Sequence, residues 1–192
     1  MTAPFTNGTQ VTPGVTGPLP LTLAGLAKEQ VLVEGTETTG DAEGYSNFIV
    51  TVPAGTDLAR FALDSSDDTG SDLDLFVYRV VSKDDLRYYE LWQSASGSAD
   101  ESVQIAAPTA GTYLVEAHVF SFSAPFTWTA TDALVGPNGV GSLKGDPNPM
   151  NVTSGVPAQY SLSWSGLDAG KYYGVVRYGD SQVRTVLGVD VP

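Results

Sequence analysis

Short runs of alternating apolar and polar residues recur along most of the chain. Tyr45 to Val52 (YSNFIVTV) is the clearest, and Pro53-Ala54-Gly55-Thr56 stops it. A period of two is that of an extended strand with one face buried. Similar runs are Gln30–Glu34, Leu58–Leu63, Leu73–Val81, Leu86–Gln93, Ser102–Ala106, Thr112–Phe120 and Phe126–Ala130. They predict about eight strands at the spacing of an antiparallel sandwich. Asp132 to Pro149 is rich in Gly and Pro and marks an internal boundary. Beyond it lie four more strand-like runs, Met150–Thr153, Gln159–Ser165, Tyr172–Tyr178 and Val183–Val189. No segment carries apolar residues at helical spacing for three turns. Residues 1–20 hold Pro4, Pro13, Pro18 and Pro20 among Thr and Gly and read as an arm or linker. The expected organisation is an arm over 1–20, a β-sandwich over 21–134 and a smaller β unit over 135–192.

One signature occurs twice. Gly111-Thr112-Tyr113 and Gly170-Lys171-Tyr172 each place a Gly two residues before a Tyr at the start of a strand. This spacing marks a tyrosine corner, in which the phenol bonds a backbone group a few residues upstream. Its recurrence predicts two β units. The second is short for a full sandwich, so it packs on the first or borrows the N-terminal arm. The fold class expected is all-β: a jelly-roll or immunoglobulin-like antiparallel sandwich followed by a smaller β unit.

Composition narrows the partners. The net charge of −13 repels phosphate backbones and anionic membrane surfaces, so neither nucleic acid nor membrane is expected. The same field attracts cations and basic proteins. The absence of cysteine removes disulfides, thiolate–zinc sites and thiol catalysis. No apolar run reaches the ~20 residues of a membrane-spanning helix. The start, Met1-Thr2-Ala3-Pro4-Phe5, lacks the basic and apolar regions of a signal peptide. Few lysines and much Thr, Ser and Gly favour a piece of a longer secreted chain over a cytoplasmic protein.

Chemistry has few candidates. His118 is the one histidine, and alternation sets it with Glu116 on the face opposite Tyr113, Val115, Ala117 and Val119. A solvated or half-buried surface histidine is expected there, rather than a catalytic base. Five aspartates, Asp64, Asp67, Asp68, Asp72 and Asp74, fall within eleven residues. Asp72 and Asp74 leave one face of a strand while Leu73, Leu75 and Val77 point to the core. The cluster reads either as a solvated acidic loop or as a Ca²⁺ site, for which oxygen ligands are the right type. The spacing is not that of an EF-hand. Phe120, Phe122, Phe126 and Trp128 read either as core or as an aromatic platform for sugar or protein.

The order Asn47-Phe48-Ile49-Val50-Thr51-Val52-Pro53-Ala54-Gly55-Thr56, Asp72-Leu73-Asp74-Leu75-Phe76-Val77-Tyr78 and Ala110-Gly111-Thr112-Tyr113-Leu114-Val115 resembles a known family. It is similar to the non-catalytic C-terminal region of secreted subtilisin-like (S8 family) serine proteases and to bacterial pre-peptidase C-terminal domains. Leu162 to Tyr172 and Val175 to Asp180 look like the fibronectin-like tail of such proteases. The resemblance implies an extracellular, non-catalytic accessory region of a longer precursor. Its partner would be the catalytic domain of the same chain, and its work to stabilise the enzyme or position protein substrate. The alternatives are a free-standing module that binds polysaccharide or a matrix protein, and a structural spacer. The family's catalytic motifs, His-Gly-Thr and Gly-Thr-Ser-Met-Ala, have no counterpart in the chain.

Overall fold

The computed structural model describes residues 8–38, 44–65, 70–82, 87–122 and 125–192. Among these residues the chain is all-β, with sixteen strands and no helix. It opens with β1 (Gly8–Val11), β2 (Gly17–Leu19) and β3 (Leu21–Lys28). Eight strands follow: β4 (Gln30–Glu37), β5 (Gly44–Val52), β6 (Leu58–Ser65), β7 (Asp72–Ser82), β8 (Arg87–Ser94), β9 (Glu101–Ala106), β10 (Gly111–Ser121) and β11 (Phe126–Val135). The chain closes with β12 (Lys144–Asp146), β13 (Met150–Val152), β14 (Ala158–Ser163), β15 (Gly170–Tyr178) and β16 (Arg184–Val191). Two compact units result, one of residues 29–134 and one of 1–28 with 135–192.

The 29–134 unit is a sandwich of two four-stranded sheets, ordered β5-β10-β7-β8 and β4-β11-β6-β9. Its pairing is nested about the β7–β8 hairpin. β8 pairs with β7, β9 with β6, β10 with β5 and β11 with β4, all antiparallel. The unit is thus one long hairpin folded over, and contacts of β10 with β7 and β11 with β6 close the two sheets. Alternation fills the space between them. Leu73, Leu75 and Val77 of β7 meet Tyr113, Val115 and Ala117 of β10, Phe61 of β6 and Trp128 of β11 in a single core. Each fully buried side chain of this size contributes about 1.5–3 kcal/mol.

The second unit borrows the N-terminal arm, one of the two arrangements its short length predicts. β1 pairs with β14, β2 with β13 and β3 with β15. Residues 8–28 are therefore strands of the C-terminal unit, and the described part of 1–20 is not a linker. The sandwich starts at residue 29 rather than 21. The reason is apolar burial. Residues 135–192 alone would bury only a marginal core, and Leu21, Ala24 and Leu26 add buried side chains to it. Leu21 joins Met150, Tyr160, Leu162, Val176 and Tyr178, and the Tyr160 and Tyr178 hydroxyls hydrogen-bond at 2.6 Å inside this cluster.

Both tyrosine corners form. The Tyr113 hydroxyl donates to the Thr109 carbonyl at 2.8 Å, and that of Tyr172 to the Asp168 carbonyl at 3.0 Å. The glycines two residues before them have φ of +150° and +142°, a region a side chain disfavours.

Candidate functional site

The acid-rich start of β7 lies on the outer face of the β5-β10-β7-β8 sheet. Leu73 and Leu75 are fully buried, so Asp72 and Asp74 emerge on the opposite side, as the strand period requires. Asp64 is exposed at the end of β6. Asp67 and Asp68 lie outside the described residues. Asp74 sits directly across from His118 of β10, with Oδ2 3.4 Å from Nδ1. On its other side His118 faces Tyr45 of β5. The two rings stack with centroids 4.1 Å apart and planes 3° apart, and Phe120 meets the imidazole edge-on.

The histidine does point outward from the core, but it is not solvated. Tyr45 covers it, leaving His118 7% exposed, with Nε2 buried and unpartnered. Sequence gives the facing direction of a strand residue. It does not give the register that brings Tyr45 over it.

Asp72 pairs with Ser121 beyond a bulge at Phe120. Its Oδ1 is buried without a hydrogen-bond partner. Burial raises its carboxyl pKa, with Asp74 and then Glu101 adding to the rise and His118 opposing it. Glu116 is raised as well, by burial first, again against the pull of His118. The outer face is thus short of positive charge around Asp72.

Glu101 is a feature the sequence reading missed. It is buried at the start of β9, where alternation puts it on the core side with Val103 and Ile105. Three donors satisfy it: Ser94 Oγ, the Ser96 backbone N–H at 2.8 Å and Ser96 Oγ at 2.5 Å. Its neighbour Asp100 accepts the Ser65 backbone N–H at 3.0 Å. The signal in sequence is the Ser94–Ser98 turn, whose hydroxyls stand just before an inward-facing acid. Among the described residues, no three carboxylates or imidazoles gather as a metal-ligating group.

The aromatic candidates separate. Phe126 and Trp128 are core residues, since the period of β11 turns them inward with Ala130. The Trp128 indole N–H donates to Glu37 Oε1 at 3.0 Å. Phe122 is partly buried against the same core and tilts on Phe126 with centroids 5.6 Å apart. Phe120 alone of the four is well exposed. They form no common platform.

A different apolar face stands on the outer side of this sheet. Ile49, Leu114, Tyr78 and Leu91 align in one cross-strand row through all four strands. The next row is Asn47, Glu116, Phe76 and Gln93, and Phe76 stacks beside Tyr78 with centroids 6.5 Å apart. The third row is Tyr45, His118 and Asp74. Tyr45, Ile49, Leu91 and Phe120 each have half or more of their surface exposed. Cross-strand neighbours on one face lie about 4.5–5.5 Å apart, so such rows make a continuous surface.

In comparisons with known proteins, no family model and no curated protein matches the chain.

Proposed function

We propose that the chain is a non-catalytic accessory region of a secreted subtilisin-like protease, acting outside the cell to stabilise the enzyme or position its protein substrate. The observation that carries this reading is the apolar row Ile49–Leu114–Tyr78–Leu91 on an open sheet face, a surface suited to a protein partner rather than to a small molecule. The sealed Nε2 of His118 supports a non-catalytic role, because a buried nitrogen offers no route to a substrate. The nested strand pairing of residues 29–134 supports a jelly-roll assignment. The tyrosine corner of the second unit supports a fibronectin-like one.

The test is the thermal half-life of a secreted subtilisin-like catalytic domain with and without the chain, beside the Ile49→Asp and Leu91→Asp variants. Protection that both variants lose is expected. No protection, together with retention of the chain on insoluble polysaccharide, would move the reading to a carbohydrate-binding module.

Calcium at the acid-rich end is part of the proposal and rests on Asp72. A cation would relieve a carboxylate whose Oδ1 has no partner and whose neighbours are acids. The described acids supply too few ligands alone, so loop oxygens would complete the shell.

A further inference from the structure

The segment between β11 and β12 folds back on β3. The Gly25 N–H donates to the Gly136 carbonyl at 3.0 Å. Val140 and Leu26 exchange two bonds, Val140 N–H to Leu26 O at 2.7 Å and Leu26 N–H to Val140 O at 3.3 Å. Pro137, Asn138 and Gly139 span these two anchors, and all three are exposed.

Gly139 is required by packing. A Cβ built on it would fall 2.0–2.5 Å from three backbone atoms of Gly25. A side chain there would push β3 off the turn, so the anchored turn needs glycine. Nothing comparable holds Asn138. Among the described residues no hydrogen bond engages its amide or the Gly139 N–H, and Pro137 has no N–H to give. The peptide unit between Asn138 and Gly139 can therefore turn between two fixed points.

That combination is reactive. The amide carbon of an asparagine side chain lies one five-membered ring away from the nitrogen of the next residue. Ring closure is slow where a side chain crowds that nitrogen, blocked where the next residue is proline, and quickest before glycine. The other described asparagines lack this neighbour. Phe48 follows Asn47, and Val152 follows Asn151. Pro149 follows Asn148, whose amide is held on both sides by the Leu21 backbone at 2.8 Å. The packing that demands Gly139 thus places a labile asparagine pair in an exposed turn.

We propose that Asn138 is a site of spontaneous covalent modification, and that one of its two products releases the 136–140 turn from β3. The Gly139 nitrogen loses its proton and bonds to Asn138 Cγ, the Cγ–Nδ2 bond breaks, and ammonia leaves. Water then opens the succinimide at either carbonyl, with no oxidant or reductant involved. One opening gives aspartate on an unchanged backbone, which adds a charge at an exposed position and keeps both anchors. The other gives isoaspartate, in which the main chain runs through Cβ and Cγ. The extra backbone atom falls between the anchors and lifts Gly139 off Gly25.

The test is peptide mapping of the full chain after prolonged incubation in mildly alkaline buffer, beside Asn138→Gln and a synthetic peptide of residues 133–144. A mass gain of about 1 Da on the fragment holding residue 138, absent from that fragment in Asn138→Gln, is expected. Endoproteinase Asp-N cuts before the aspartate product and not before isoaspartate, which separates the two. The rate in the folded chain should lie within about tenfold of the peptide's, because an exposed turn without bonds of its own opens at little cost. A folded chain that stays unmodified while the peptide reacts would overturn the proposal, since the anchors would then hold the amide away from the nitrogen. Hydrogen exchange of the Gly25 and Val140 amides should quicken about tenfold or more in the isoaspartate form and stay unchanged in Asn138→Asp. Equal exchange in the two forms would overturn the release of β3.

Discussion

Tyr45 lies flat on His118, its ring 4.1 Å from the imidazole and within 3° of parallel, while Asp74 holds Nδ1 from the other side at 3.4 Å. The three come from neighbouring strands and form one row. A stacked aromatic cover contributes about 0.5–1.5 kcal/mol, so Tyr45→Ala should lower stability by that order. His118→Leu removes the donor facing a mostly buried carboxylate and should cost about 1–3 kcal/mol. A cycle of His118→Leu with Asp74→Asn, followed by urea unfolding, measures the pair itself. Coupling of about 0.5 kcal/mol or more is expected for groups in contact. Strict additivity would mean that the two side chains only lie near each other.

The tyrosine corners give a second prediction. Tyr113→Phe and Tyr172→Phe each delete one hydroxyl and leave a carbonyl, of Thr109 or Asp168, without its donor. Each change should cost about 1–2 kcal/mol in denaturant unfolding. Tyr113 should show the larger loss, because it has no exposed surface and burial already holds its phenol pKa up. Equal stability of Tyr113→Phe and the native chain would remove the corner as a stabilising device.

These corners were legible because a fixed local spacing, Gly-x-Tyr, carries them. Strands were legible for a similar reason, since the period of two is local. Register is not local. Nothing in Tyr45-Ser46-Asn47 or in Ala117-His118-Val119 says that the tyrosine will lie on the histidine. That follows from a pairing between residues far apart in the chain. The β1 and β2 strands are hard to see in the sequence because proline and glycine hide short strands. Gly17-Pro18-Leu19 has no alternation to read, yet it pairs with Met150-Asn151-Val152. Phe126 and Trp128 alternate as core residues do, and their closeness to Phe120 in sequence says nothing about sharing a face with it.

Asp132 gives a pH dependence. It is buried on β11, and its carboxyl is pushed up to about 6, by burial first and by Glu29 second. Glu29 is itself held by Arg60 at 3.1 Å. A folded value above the unfolded one means that the native state binds the proton more tightly. The contribution is fully present below the unfolded value near 3.8 and is lost as pH rises through about 6. A shift of this size corresponds to about 3 kcal/mol, of which solvent screening leaves about 1–2. Asp132→Asn should therefore be more stable than the native chain at pH 7, and the advantage should vanish near pH 4. Thermal unfolding of both proteins across this range checks it. An advantage that persists at pH 4 would point to packing rather than charge.

Calcium is tested by thermal unfolding in EDTA and in millimolar Ca²⁺. A ligand that binds only the native state at ~100 times its dissociation constant adds about 2.7 kcal/mol. An upward shift of several degrees is expected, and Asp72→Asn should abolish it. In EDTA the same substitution should be stabilising at neutral pH, because burial, Asp74 and Glu101 all oppose the Asp72 charge. Identical curves in the two buffers would leave the acids as a solvated edge.

Gly35 and Trp128 provide the sharpest packing test. They are register partners on β4 and β11, and the indole lies directly on the glycine. A Cβ built on Gly35 would fall 2.2–2.4 Å from three indole atoms. The glycine is thus required by close approach of a ring rather than by its own backbone angle. Gly35→Ala must push a buried tryptophan aside and break its N–H bond to Glu37. Overpacking of this kind costs about 1–3 kcal/mol, and the lost hydrogen bond adds about 1. The cause can be isolated. In a Trp128→Leu background the obstructing ring is gone, so the same Gly35→Ala change should cost less than about 0.5 kcal/mol, and the smaller conformational entropy of alanine in the unfolded chain should even favour it. A full penalty in that background would show that β4 itself needs glycine at this position, and that the ring came to rest on a gap already there.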